Sequence, residues 1–221
     1  MIEYAARYGN KLEEALIQHL QIVGLTLLIS IVLASAVTLV VMRSARAARV
    51  TIRIFGGVYA IPSLALFALL IPVTGLGMDT AILVLVVYNQ FLLIRNFIAG
   101  LDSVDPLIVE AATGMGMTPR GILTKIRLPL AFPVMLAGIH LSVISTIGIA
   151  TIAAVIGAGG IGTILFDGLR TQSFAKIAWG TLLAAGLAIA ANLILIAIEK
   201  SVSKKYHYNT DEEDNAHGSV A

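Results

Sequence analysis

Five long stretches of apolar residues dominate this sequence and limit the folds open to it. They cover roughly residues 20–42, 54–73, 80–98, 130–156 and 178–198. Each is close to the roughly 20 apolar residues that an α-helix needs to cross the hydrocarbon core of a bilayer. Only 13% of the 221 residues are charged, against about a quarter in an average soluble domain. The sequence therefore predicts an all-α, polytopic membrane protein with about five transmembrane helices.

Composition divides the chain into three parts. Residues 1–19 mix charged and apolar side chains and predict an extracytoplasmic lead-in with an amphipathic helix from Leu12 to Leu20. This start lacks the positive region followed by an apolar core of a secretory signal, so we expect it to stay uncleaved. Residues 20–200 form the transmembrane domain, and segment 157–177 leaves room for a short sixth helix. The polar tail, 201–221, is predicted to be disordered and cytoplasmic.

The distribution of Lys and Arg predicts how the chain crosses the membrane. Eleven of the fifteen fall on one side: four between the first two spans, four between the third span's end and the fourth span, and three in the tail. The opposite side has Arg7, Lys11, Arg170 and Lys176. Because basic residues concentrate in cytoplasmic loops, the N-terminus is predicted outside and the C-terminus in the cytoplasm.

Several kinds of site are not supported. The chain has no cysteine, which excludes disulfides and thiolate chemistry. It also has no Walker A string, so we expect no ATP site and no catalytic residues in this chain. The four histidines lack the spacing of metal ligands, and His140 in the fourth span is expected to make a hydrogen bond within the bundle. The glycine-rich run 157–162 lies outside any βαβ unit and predicts a tight bend at the outer mouth.

The loop 100–129 is about thirty residues long and has its own helix signals. Asp105 followed by Pro106 is typical of a helix start, and Gly114 with Gly116 predicts its end and a sharp turn. Thr118 and Pro119 repeat the start signal for a second helix, which is expected to end before Pro129. Such a helix pair fits either a rigid knob that docks on a soluble partner or an interfacial loop without a partner.

The stretch EAATGMGMTPRGILTKIRLP resembles the cytoplasmic loop signature of bacterial ABC importer permeases of the type I class. The matching positions are Glu110, Ala111, Ala112, Gly116, Ile126, Leu128 and Pro129, with Gly114 in the turn. The resemblance implies that this loop couples the chain to a separate ATPase, which binds the ATP and magnesium. It also implies a bacterial cytoplasmic membrane, a second permease chain, identical or paralogous, and an extracytoplasmic binding protein. No nucleic-acid partner is expected.

Two further segments, YAIPSLALFALLIPVTGLGMDTAIL from Tyr59 and AAVIGAGGIGTILFDGL from Ala153, resemble osmoprotectant uptake permeases. That subfamily imports glycine betaine, carnitine, choline and related quaternary ammonium compounds. A permease for methionine or another small solute is the alternative within the class. From other classes, a secondary carrier or a non-transporting membrane scaffold stays open.

Polar residues within the apolar stretches are candidates for the translocation path, because polar groups are costly in lipid. They are Tyr59, Pro62, Ser63, Asn89, Gln90, Ser142, Ser145 and Thr146. The alternative for each is hydrogen bonding and packing between helices. The few aromatic residues show no dense cluster along the sequence, which favours recognition of a cationic substrate by a separate binding protein.

Overall fold

The computed structural model describes residues 2–207, with side chains from Glu3 to Ser201. The prediction of a disordered tail over 201–221 is wrong for 201–207, which continue the last helix, and its remainder, with the acidic run 211–214, lies outside the described residues. The described chain is almost entirely helical. Its helices are α1 (Ile2–Val41), α2 (Ala45–Tyr59), α3 (Ser63–Thr74), α4 (Met78–Asp102), α5 (Pro106–Gly114), α6 (Pro119–Ile122), α7 (Leu128–Ala153), α8 (Ile161–Arg170) and α9 (Phe174–His207).

Helix α4 forms the centre of the bundle. It carries buried residues over most of its surface, because α1, α2, α3 and α7 pack around it, and the side with Leu83, Arg95 and Ala99 stays exposed. An apolar cluster near its start includes Ile22 of α1, Phe67 of α3, Val84 and Leu85 of α4, and Ile147 of α7. The helices α1, α2, α3 and α7 are therefore arranged by their contacts with α4, whereas α9 packs on α7 and α8.

The number of spans agrees with the predicted count of about five. Four helices or continuous helical segments are long and apolar enough to cross a membrane: 3–41, 78–102, 119–156 and 174–201. The fifth is the pair α2 and α3, whose axes are bent by 92°. The predicted single helix over 54–73 is therefore wrong. Pro62, which has no N–H and restricts the residue before it, ends the first helix and begins the second.

Two other boundaries also differ from those expected. The predicted lead-in 1–19 is continuous with the first span, since α1 runs from Ile2 to Val41 with a kink at Tyr8. The second loop helix does not end before Pro129: α6 continues through a π turn, Leu123–Arg127, directly into α7. Pro129 cannot donate a backbone hydrogen bond, and the wider π turn before it lets the helix continue despite this missing bond. The short helix left open within 157–177 is α8.

Close packing of α8 against the end of α7 gives a test of this arrangement. A Cβ at Gly162 would lie 1.9 Å from the carbonyl oxygen of Thr151, which requires the backbone to move. We expect Gly162→Ala to destabilise the folded chain by about 1–3 kcal/mol, measured by thermal unfolding in detergent. Gly24→Ala is the control, because a Cβ at Gly24 meets nothing within 4 Å. Equal stability of the two variants would contradict the packing.

Candidate functional site

The loop between α4 and α7 folds as the sequence predicts at its two helix starts. The Asp105 carboxylate accepts a hydrogen bond from the backbone N–H of Leu107 at 2.8 Å, and Pro106 is the first residue of α5. The Thr118 hydroxyl accepts one from the backbone N–H of Gly121 at 3.2 Å. Gly116 lies between the two helices with φ of +80°, a conformation that glycine adopts without strain.

Helix α5 has one side on the bundle and one side in solvent. Ala112 is buried, and Val109 packs on a cluster formed by the end of α4 and the start of α7. On the other side, Leu107 and Met115 are 70% and 76% exposed, and Glu110 is exposed as well. Exposed apolar side chains at both ends of a short, capped helix leave a surface that another protein can cover. Sequence analysis had not selected Leu107 and Met115.

The remaining residues of the loop signature have different positions. Ala111, Gly114 and Gly116 are exposed around α5 and its turn. Ile126, Leu128 and Pro129 are half-buried where the π turn enters α7. The signature therefore includes both the exposed helix α5 with its turn and the start of α7, which leads into the bundle.

Four of the predicted pathway residues lie inside the bundle. Asn89 of α4 donates Nδ2 hydrogen bonds to Thr146 Oγ1 of α7 at 2.8 Å and to Ser30 Oγ of α1 at 3.4 Å. Gln90 Nε2 donates to the carbonyl oxygen of Ser30 at 3.3 Å. These side chains and Ser142 are between 0 and 5% exposed. The contacts of Asn89, Gln90 and Thr146 are hydrogen bonds between helices, as the alternative to a pathway role predicts. The Ser142 hydroxyl has no hydrogen-bond partner among the described residues.

The other predicted pathway residues surround the break between α2 and α3. Tyr59 and Ser63 are half-buried and Pro62 is exposed. Ser145 of α7 is half-buried as well. His140, by contrast, makes the expected contact within the bundle, with Nε2 at 2.7 Å from Oδ1 of Asn192.

The structure brings together an aromatic cluster that the sequence did not reveal. The Tyr59 ring lies 5.5 Å from the Tyr88 ring, edge to face, and 5.1 Å from the Phe91 ring. The Tyr88 hydroxyl donates a hydrogen bond to the carbonyl oxygen of Ile61, at the break. Residue 59 is far from 88 and 91 in sequence, which is why no cluster was predicted.

A row of arginines follows one side of α2. Arg46, Arg49 and Arg53 are spaced by three and four residues and therefore share one side of the helix. All three are exposed, whereas Ala48 and Phe55 on the other side pack against α4. None of the three has an ion-pair partner among the side chains that the structure describes. The row begins at the start of α2, at the same end of the bundle as α5. We call this end the basic end.

The opposite end contains the predicted glycine bend. Gly157, Gly159 and Gly160 all have positive φ, between 77° and 85°. The backbone N–H of Gly160 donates to Gln18 Oε1 of α1 at 3.1 Å, and a Cβ at Gly160 would lie 2.9 Å from the His19 ring. Close approach to α1 thus requires glycine here.

A cavity of about 440 Å³ lies at this same end, between α1, α8 and the start of α9. Its lining includes Tyr8, Glu14, Asp167 and Lys176, and none of the predicted pathway residues. A hydrogen bond from Lys176 Nζ at 2.6 Å, and a second from Arg170, hold the pKa of Asp167 below its usual value. The ion pair between Lys176 and Asp167 joins α9 to α8 across the turn at 171–173, whereas Arg170 and Asp167 both lie on α8.

Comparison with known proteins identifies the family. Residues 26–208 match the family described as "Binding-protein-dependent transport system inner membrane component". The chain belongs to this family. Its predicted resemblance to importer permeases is confirmed, and as an inner membrane component it is a multi-pass membrane protein.

Curated relatives of this permease component cover most of its length. It is 32% identical to the "Choline transport system permease protein OpuBB" of Bacillus subtilis over 92% of this chain and 94% of the relative. It is 31% identical to the "Carnitine transport permease protein OpuCD" of Listeria monocytogenes, with 92% of each chain covered. A further relative, the "Ergothioneine transport permease/ergothioneine binding protein EgtU" of Helicobacter pylori, is 41% identical over 68% of this chain. The match spans only 26% of that longer protein.

Solved structures share the fold of the permease component. A chain of the MetNI methionine ABC transporter in an inward-facing conformation matches with a TM-score of 0.78 at 21% identity, covering 87% of this chain and 96% of that one. A chain from the crystal structure of an amino acid ABC transporter with histidines matches with a TM-score of 0.71 at 18% identity, covering 90% and 96%. The predicted type I importer permease fold is confirmed by this likeness, which at such identities concerns the fold alone.

The buried polar group around Asn89 gives a second prediction. Asn89→Leu removes the hydrogen bonds to Thr146 and Ser30 and leaves their hydroxyls with fewer partners in a dry interior. We expect a loss of stability of about 0.5–2 kcal/mol, measured by thermal unfolding in detergent. Ser145→Ala is the control, because Ser145 is only half-buried and its hydroxyl takes no part in this group. An Asn89 variant with unchanged stability but lost transport would favour a pathway role instead.

Proposed function

We propose that this chain is a permease subunit of an ATP-driven ABC importer for small solutes that carry a trimethylammonium group. The supporting observation is the chemistry named by its relatives: choline, carnitine, glycine betaine and ergothioneine transport. All four compounds contain a nitrogen with three methyl groups. Glycine betaine, carnitine or choline uptake for osmoprotection is the main form of the proposal. This form is supported by the choline and glycine betaine relatives, which match this chain over almost their whole length.

Ergothioneine is the second candidate substrate. The relative named for it has the higher identity, 41%, although the match covers only 68% of this chain. Ergothioneine is also a betaine, so the same permease chemistry serves both candidates. Methionine receives no comparable support, because the methionine transporter is similar in fold at 21% identity.

The proposed assembly contains components that the family description and the loop imply. The exposed side of α5, with Glu110 and its apolar neighbours, docks on an ATPase subunit, which binds the ATP and magnesium. The basic end then lies in the cytoplasm, with the N-terminus outside, as the distribution of basic residues predicts. An extracytoplasmic binding protein delivers the substrate, and a second permease chain, identical or paralogous, completes the path. In this assembly the chain has no cofactor and no enzymatic activity of its own.

Uptake assays distinguish the candidate substrates. The chain is expressed with its neighbouring transporter genes in a host without its own betaine uptake, and entry of labelled glycine betaine is measured. We expect competition by carnitine, choline or ergothioneine and none by methionine. Uptake that is blocked by methionine alone, or that persists without an ATPase, would contradict the proposal.

The docking role of α5 predicts a specific loss of partner binding. Glu110→Ala and Met115→Asp alter exposed side chains, so they are expected to leave the fold of the chain intact. Each is expected to reduce ATPase co-purification and uptake at least tenfold. Met115→Asp reduces binding because it places an unpaired charge in the apolar contact between α5 and the ATPase. Glu13→Ala, which removes an exposed carboxylate from α1 near the opposite end, is the control. Full co-purification with both loop variants would place the docking surface elsewhere.

A further inference from the structure

We propose that Tyr59, Phe91 and Arg95 form a binding site for a zwitterion in the half of the bundle toward the basic end. The rings of Tyr59 and Phe91 receive the trimethylammonium group, and the Arg95 guanidinium receives the carboxylate. The inference rests on the proposed function and makes it more specific: the permease itself selects betaines over simple quaternary cations.

The two rings are held in place while keeping accessible surface. Phe91 packs on the backbone of α2 at Gly56, where a Cβ would lie 3.1 Å from the Phe91 ring. Tyr88 is buried and its hydroxyl is used at the helix break, so it supports the Tyr59 ring from one side. Tyr59 and Phe91 themselves are only half-buried. The aromatic surface that the two rings leave accessible can attract a quaternary ammonium group.

Arg95 lies next to these rings and has its charge available. Its guanidinium carbon is 5.9 Å from the centre of the Phe91 ring, and the side chain is exposed. The structure records no carboxylate within ion-pair distance of it among the described side chains. A guanidinium binds a carboxylate with two parallel hydrogen bonds, so the group suits the acidic end of a betaine.

The arginine row of α2 adds positive charge on the same side. Contacts pair Ile61 with Tyr88, Gly56 with Phe91, and Ala48 with the cluster that includes Phe97, so α2 runs antiparallel to α4. Arg53 and Arg49 precede Gly56 by three and seven residues, so they lie toward the basic end on the exposed side of α2, beside the strip that packs on Phe91. Arg95 follows Phe91 by one turn, so all three arginines lie between the rings and the basic end.

Both arginines lie within their helices rather than in the loops. Arg95 is seven residues before the end of α4, about 10 Å along the helix. Arg53 is eight residues after the start of α2, about 12 Å along it. Charged side chains in a membrane bundle are costly in hydrocarbon and usually face a polar cavity, a partner or the membrane interface. A solute moving past the helix break meets the rings first and the arginines next.

This order of groups discriminates between substrates by charge. Glycine betaine, carnitine and ergothioneine each carry a carboxylate that offsets the unpaired arginines. Choline has no carboxylate for these arginines and therefore binds this site more weakly. The site therefore favours a zwitterion, with the cation at the rings and the anion toward the basic end.

Saturation-transfer difference NMR on the N-methyl protons of glycine betaine tests the site directly. The full-length permease with its co-purifying ATPase is placed in nanodiscs of phosphatidylethanolamine and phosphatidylglycerol, which contain no N-methyl groups, and the binding protein is left out. We expect transfer to the N-methyl protons and binding of glycine betaine at lower concentration than choline. Tyr59→Leu and Phe91→Leu are each expected to weaken binding at least about threefold.

The arginine variants give the charge-specific readout. Arg95→Gln, at an exposed position, is expected to weaken glycine betaine binding about tenfold and to leave choline binding equal or tighter. Arg7→Gln is the control, because it removes an exposed arginine from α1 near the opposite end and is expected to bind both solutes as the wild type does. If Tyr59→Leu and Arg95→Gln bind both solutes as the wild type does, the site is wrong even where wild-type uptake supports the proposed function. If the wild type imports no trimethylammonium solute, the proposed function itself fails.

Discussion

Within a bilayer, every backbone N–H and carbonyl needs a partner inside the protein, because lipid supplies none. This constraint explains what surrounds the interruptions in the helices of this chain. At the break between α2 and α3, the hydroxyl of Tyr88 covers the carbonyl of Ile61. At the glycine bend before α8, the side chain of Gln18 accepts the N–H of Gly160. A side chain from another helix thus stabilises each irregular segment and fixes its position.

The same constraint gives α4 its central place. Asn89 and Gln90 are adjacent on this helix and reach α1 and α7 through hydrogen bonds. Apolar packing between helices gains little in lipid, which is as apolar as the side chains themselves, so buried polar contacts and close packing hold such bundles together. The two helices at the break, α2 and α3, are consequently held in place by their packing on α4. The break itself places Tyr59 against Tyr88 and Phe91 of this helix.

The sequence was sufficient for the features that depend on local residues. Apolar length predicted the spans, and Asp105, Pro106 and Gly116 predicted the start and end of α5. Features that depend on contacts distant in sequence were not accessible in this way. Pro62 marked an interruption, but a bend of 92° depends on the packing of both halves against α4. Pro129 signalled a helix end that the π turn avoids, and the aromatic cluster forms only because α2 lies antiparallel to α4.

The exposed surfaces of the chain fall into two kinds that require different surroundings. Helix α9 has no buried residue in its most apolar window, and Leu182, Ile189 and Leu193 are each more than half exposed, as suits contact with lipid. The side of α2 and α4 with Arg53 and Arg95 is also exposed, but it carries charged side chains, which are costly in contact with lipid. One surface of each kind is what the proposed two-chain assembly needs. A second permease chain facing the arginine side would enclose these charges in a polar path and leave α9 on the outside.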